Sequence, residues 1–135
     1  MARVNTVDYI TIASTGNATD FGDLTEVKSD TTSCSNSTRA LTGAGWTGSA
    51  AVNTIEYFTI ASTGNGTDFG DLTQVTASEA GGSNKTRAIF QHYVPAGGGA
   101  MDFVQIATLG NASDFGDMAA EMSLTGGTSN GHGGI

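Results

Sequence analysis

Basic residues are scarce in this chain: Lys and Arg number 5 against 13 Asp and Glu, a formal net charge of −8. A surface so poor in cations is a bad match for nucleic-acid phosphates or anionic lipids, and neither is expected as a partner. Cysteine occurs once, as Cys34, so no intrachain disulfide can form. No cysteine or histidine cluster accompanies it, and a redox or metal role lacks partners. Proline also occurs once, and lysine and glutamate are few, unlike the composition of disordered chains. No stretch is long and apolar enough to cross a bilayer. The first residues, Met1 to Asn5, lead directly into a repeated segment without an apolar leader, so no secretory signal is expected.

What is abundant is Thr, Ser, Gly and Asn, interspersed with Val, Ile and aromatics, a mixture that favours short strands and tight turns. The 135 residues are enough for one small domain. The segment Asn53-Thr54-Ile55-Glu56-Tyr57-Phe58-Thr59-Ile60-Ala61-Ser62-Thr63-Gly64-Asn65 restates residues 5–17, and residues 101–111 are a more diverged third copy. Thr-Asp-Phe-Gly-Asp-Leu stands at 19–24 and 67–72, and Ser113-Asp114-Phe115-Gly116-Asp117-Met118 is its third version. Asp20 and Asp68 are 48 residues apart, Asp68 and Asp114 are 46 apart, and the units run over about 5–52, 53–100 and 101–135.

Each unit reads as a few strands. Alternation of Tyr9, Thr11 and Ala13 with Ile10 and Ile12 predicts a first strand, followed by a turn at residues 14–17. A second strand is expected from Asp20-Phe21 to Val27, with Gly22 marking a bulge or bend. Residues 29–36 read as a polar loop, and residues 38–42, matched by 86–90, as a third strand. No window carries a sustained helical stripe. The expected fold is one all-β domain, residues 1–135, of three tandem sheet repeats.

The repeat resembles Kelch repeats in its glycine runs (Gly97-Gly98-Gly99, Gly133-Gly134), its Asn53-Thr54-Ile55-Glu56-Tyr57 strand and its aromatic-led Asp68-Phe69-Gly70-Asp71-Leu72 strand. It is more similar to repeat proteins of tailed bacteriophages, common in marine cyanophages, that reiterate the sequence seen here at residues 9–25. Phe21, Phe69 and Phe115 stand where Kelch repeats have Trp, and a propeller normally has four or more blades. Three architectures therefore stay open: half of a propeller completed by a second copy, a three-sheet β-prism, or an open array capped by neighbours. By repeat alignment the chain ends at the counterpart of Arg39-Ala40-Leu41, which points to pairing between the terminal strands, within one chain or across two. A homo-oligomer is expected, with the terminal strands and the 91–100 loop at the subunit boundary.

The candidate chemistry is sparse. Asp20 and Asp23, Asp68 and Asp71, and Asp114 and Asp117 recur beside Asn17, Asn65 and Asn111. These residues suit either turn capping, which is the expectation, or oxygen ligation of Ca²⁺. Asn-x-Ser/Thr triplets at Asn17, Asn36, Asn65, Asn84 and Asn111 read as turn chemistry. Arg39 and Arg87 are expected to face solvent or to pair with acids such as Asp8 or Glu56. His92 and His132 are the only histidines, and no Ser/His/Asp spacing, metal cluster or catalytic carboxylate pair emerges, so no catalytic residue and no cofactor is expected. The least repeated segments carry Trp46, His92, Tyr93 and Pro95, which are the candidate contact residues. The resemblance implies a non-enzymatic virion structural protein, in a tail fibre, a baseplate appendage or a capsid decoration. It would contact other virion proteins and a host surface glycan. The alternative is a small repeat lectin.

Overall fold

A computed structural model describes residues 3–77, 80–92, 99–120 and 127. It is all-β, with ten antiparallel strands in three sheets and no helix among the described residues. The first sheet is a hairpin of β1 (Thr6–Tyr9) and β2 (Thr19–Asp23). The second has the order β3 (Thr32–Ser35), β4 (Arg39–Gly43), β5 (Val52–Thr59), β6 (Thr67–Thr76). The third runs from β7 (Ala80–Ser83) through β8 (Arg87–His92) and β9 (Ala100–Gln105) to β10 (Ser113–Asp117).

Each four-stranded sheet straddles a sequence-repeat boundary. β4 of the first unit pairs with β5 of the second, and β8 of the second with β9 of the third. The phase is set by the β3–β4 and β7–β8 turns. There the Asn36 carbonyl accepts from the Thr38 and Arg39 N–H groups, both at 2.9 Å, and Asn84 does the same for Thr86 and Arg87. The triplets at Asn36 and Asn84 are thus turn chemistry, as their composition suggested.

Two strand expectations need correction. Residues 29–36 are not all loop, because Thr32–Ser35 forms β3 and its counterpart Ala80–Ser83 forms β7. Small polar side chains serve there because the strands pack closely on one another: a Cβ on Gly81 would run into the Thr32 methyl. The first strand ends at Tyr9, and Thr11–Ser14 is a turn closed by Ser14 N–H to Thr11 O. The second strand stops at Asp23 in the first unit but reaches Thr76 in the second.

The bulge expected at Gly22 is present in all three units. In each, the ladder skips the Phe before the glycine: Val7 faces Gly22 and Asp8 faces Asp20; Ile55 faces Gly70 and Glu56 faces Asp68; Met101 faces Gly116 and Asp102 faces Asp114. The extra residue turns its ring onto the neighbouring strand, giving edge-to-face pairs Tyr9–Phe21, Tyr57–Phe69 and Phe103–Phe115.

The core lies between the second and third sheets. Cys34, Leu41, Ile55, Phe69 and Leu72 meet Ala88, Phe90, Val104 and Ile106. Gly43 leaves room for the Phe90 ring. Cys34 is buried, and desolvation pushes its thiol from 9.0 up to about 12. Because the folded state holds this proton more tightly than the unfolded chain, the thiol favours folding below pH 9.0 and loses that contribution as pH rises towards 12. Cys34 should resist a thiol reagent at pH 8 in the native protein and react at once in denaturant. Prompt native labelling would contradict this placement.

Candidate assembly interface

Successive sheets are joined by one set of contacts, made twice. The free edge of β2 takes Gly64 N–H at Phe21 O (2.8 Å) and Gly66 N–H at Asp23 O (2.7 Å). Asn65 Oδ1 completes the set by accepting Asp23 N–H at 3.1 Å. One unit later, β6 takes Gly110 N–H at Phe69 O (2.9 Å) and Ala112 N–H at Asp71 O (2.8 Å), and Asn111 Oδ1 accepts Asp71 N–H at 3.1 Å. The edge that a sheet would leave unpaired is therefore covered by the turn of the next unit.

A buried carboxylate lies beside each set. Glu56 accepts Thr25 N–H at 2.7 Å and is paired with Lys28 Nζ at 2.8 Å, both side chains fully buried. Asp102 accepts Thr73 N–H at 2.7 Å and the Thr73 hydroxyl at 2.9 Å, and His92 Nε2 lies 3.4 Å from it. The partners come from different places in the repeat. Lys28 aligns with Thr76, and His92 with Ala44, both buried. Each junction thus has one large nitrogen-bearing side chain, with a smaller residue where the other junction has its own. Side-chain length is matched as well. A Cβ on Gly66 would meet Glu56 Oε2, and in the third unit the equivalent positions hold Ala112 and the shorter Asp102. Removing the imidazole with His92→Ala should cost on the order of 2–4 kcal/mol through the cavity and the weakened carboxylate. Thr76→Lys added to it should recover part of that loss in thermal denaturation; no recovery would show that the two positions do not substitute for one another.

The predicted site residues divide as follows. Asp68 and Asp114 cap their own bulges, each accepting the N–H of the glycine two residues on, at 3.2 and 2.9 Å. Asp23 and Asp71 act through backbone groups, and among the described residues no hydrogen bond involves the Asp20 carboxylate. Among the described residues no three of His, Cys, Asp and Glu gather as a metal site. His92 is corrected: it is not a surface contact residue, since it belongs to β8 and is fully buried facing Asp102. Its lack of repetition reflects a change of junction partner. Trp46 is half-buried and tied to Ser29 through both backbone groups. Tyr93, Pro95 and His132 lie outside the described residues. Of the two alternatives for the arginines, Arg87 is exposed as one of them expected, and Arg39 is half-buried. Arg39 lies 4.7 Å over the Tyr57 ring and donates to Ile106 O at 2.8 Å; Arg87 lies 5.1 Å over Phe103. Neither makes an ion pair among the described residues, and beside Arg39 the Glu56 side chain points to the opposite face of its strand.

Lys28, Glu56 and Asp102 were missed by sequence reasoning as a set. Their signal was available: Asp8, Glu56 and Asp102 align, and a lysine and a histidine appear where the other units have uncharged residues. Compared with models of known protein families and with curated protein sequences, the chain matches none.

Proposed function

We propose that this chain is a non-enzymatic structural protein of a tailed-phage virion, in a tail fibre or baseplate appendage or on the capsid. It would display many weak contacts to other virion proteins and to host-surface glycans, which add through effective concentration. The observation that supports a scaffold is the use made of the repeated polar residues. Asn65, Asn111, Glu56 and Asp102 are engaged in holding one sheet to the next. The virion setting comes from the resemblance of the repeated sequence at residues 9–25.

A mass-spectrometric inventory of purified virion subassemblies tests the setting directly, and the protein should be found in one of them. Absence from virions, combined with binding of the isolated protein to a glycan array, would replace this reading with the repeat lectin. The protein should not hydrolyse peptides, esters or glycans; turnover abolished by substituting His92 or His132 would overturn the scaffold role.

A further inference from the structure

The two ends of the sheet array are complementary halves of the junction that the chain already makes twice. On the third sheet, the outward face carries Ile89, Met101 and Phe115 around a groove of about 460 Å³. The same positions in the second sheet are Leu41, Ile55 and Phe69, which are buried under the third sheet. Phe115 is 46% exposed where Phe69 is 2% exposed. Gly116 has a φ of +128°, in the left-handed range like Gly22 and Gly70. A Cβ on Gly22 or Gly70 would strike the carbonyl of Gly64 or Gly110 in the next unit, yet one on Gly116 would meet nothing within 4 Å. Among the described residues nothing meets the Gly116 bulge, while Gly127 lines the groove at its Gly81 side.

The first sheet shows the opposite half. Ile10 is 62% exposed, whereas its counterparts Phe58 and Val104 in the second and third units are each 4% exposed. Asp8 is exposed where Glu56 and Asp102 are buried and bonded. It stands with Ala18, the same Asp and Ala combination as Asp102 and Ala112. Asn17, counterpart of the two joining asparagines, makes no hydrogen bond among the described residues.

We propose that a second copy of this chain docks its first sheet on the third sheet, reproducing the internal junction. Gly16 and Ala18 N–H groups then donate to Phe115 O and Asp117 O, and Asn17 Oδ1 accepts Asp117 N–H. Asp8 accepts Ala119 N–H, as Glu56 and Asp102 accept Thr25 and Thr73 N–H. Arg87, held over Phe103, donates to Ile12 O as Arg39 donates to Ile106 O. Ile10 enters the groove at Phe115, in the place that Val104 takes at Phe69. The contact is heterologous, so copies join head to tail into a ring if the rotation closes and a filament if it does not. This association is independent of the virion setting, and either can fail alone.

The test is complementation, read by sedimentation velocity on the full chain with circular dichroism as the control for folding. Ile10→Asp blocks the first sheet and Phe115→Asp blocks the third. Wild-type protein should associate with rising concentration. Each variant alone should be monomeric, and an equimolar mixture should form a 1:1 heterodimer, because one intact half remains on each. Asn17→Ala and Ala119→Pro remove one junction hydrogen bond each at exposed positions; each should weaken wild-type association roughly five- to tenfold. A wild-type monomer at high concentration, variants that self-associate like wild type, or a mixture that stays monomeric would overturn the proposal. Should either aspartate variant not fold, unchanged association of both milder variants would do so.

Discussion

Glu56→Ala is expected to lower the melting temperature by roughly 10–20 °C, since breaking a buried pair costs about 3–5 kcal/mol in a domain of this size class. The substitution leaves the Lys28 ammonium fully buried, with Glu26 at 4.0 Å as its remaining acidic neighbour. It also strips Thr25 N–H of its acceptor. The loss reflects an uncompensated charge more than the net worth of the pair. The double variant Glu56→Gln/Lys28→Met separates the two, because glutamine keeps an acceptor for Thr25 and methionine fills the lysine's volume without charge. It should fall within about 2 kcal/mol of wild type by chemical denaturation. A single Glu56→Ala variant as stable as wild type would show that the first and second sheets are not held together at this point.

Gly70→Ala should be strongly damaging, and Gly116→Ala a mild one, although both residues occupy the same place in the repeat. Both have φ in the left-handed range, at +144° and +128°, so each alanine incurs backbone strain of about 1–3 kcal/mol. Only at Gly70 does the new Cβ also run into backbone, the carbonyl of Gly110, which cannot rotate away as a side chain would. Overpacking of that kind adds about 1–3 kcal/mol. The gap between the two variants, measured by thermal denaturation at low protein concentration, therefore reads the junction contact itself. Equal losses would mean that the Gly110 turn yields freely and that the bulge does not template the next unit.

The repeat and the all-β class were legible because period-two patterning, turn residues and self-similarity are local properties of the chain. The bulge at Gly22 was legible for the same reason: a glycine inside a strand pattern has few other uses. β3 was missed because Thr32–Ser35 carries no large apolar residue, and its strand character comes from pairing with β4 and packing against β7. His92 was misplaced because an unrepeated residue looks like a loop specialist, when here it substitutes for a lysine from another position.

By itself, then, the sequence determined that three similar units would form short strands with an asparagine-rich turn and a glycine bulge in each. Which unit's strands share a sheet was decided only in three dimensions. β4 reaches forward to β5 because an apolar strand cannot bury both faces within its own unit, and a sheet edge gains hydrogen bonds by extending into the next. The fate of identical residues was likewise decided by position in the array. Phe69 is core and Phe115 is 46% exposed with the same immediate neighbours in sequence, because the third sheet packs over Phe69.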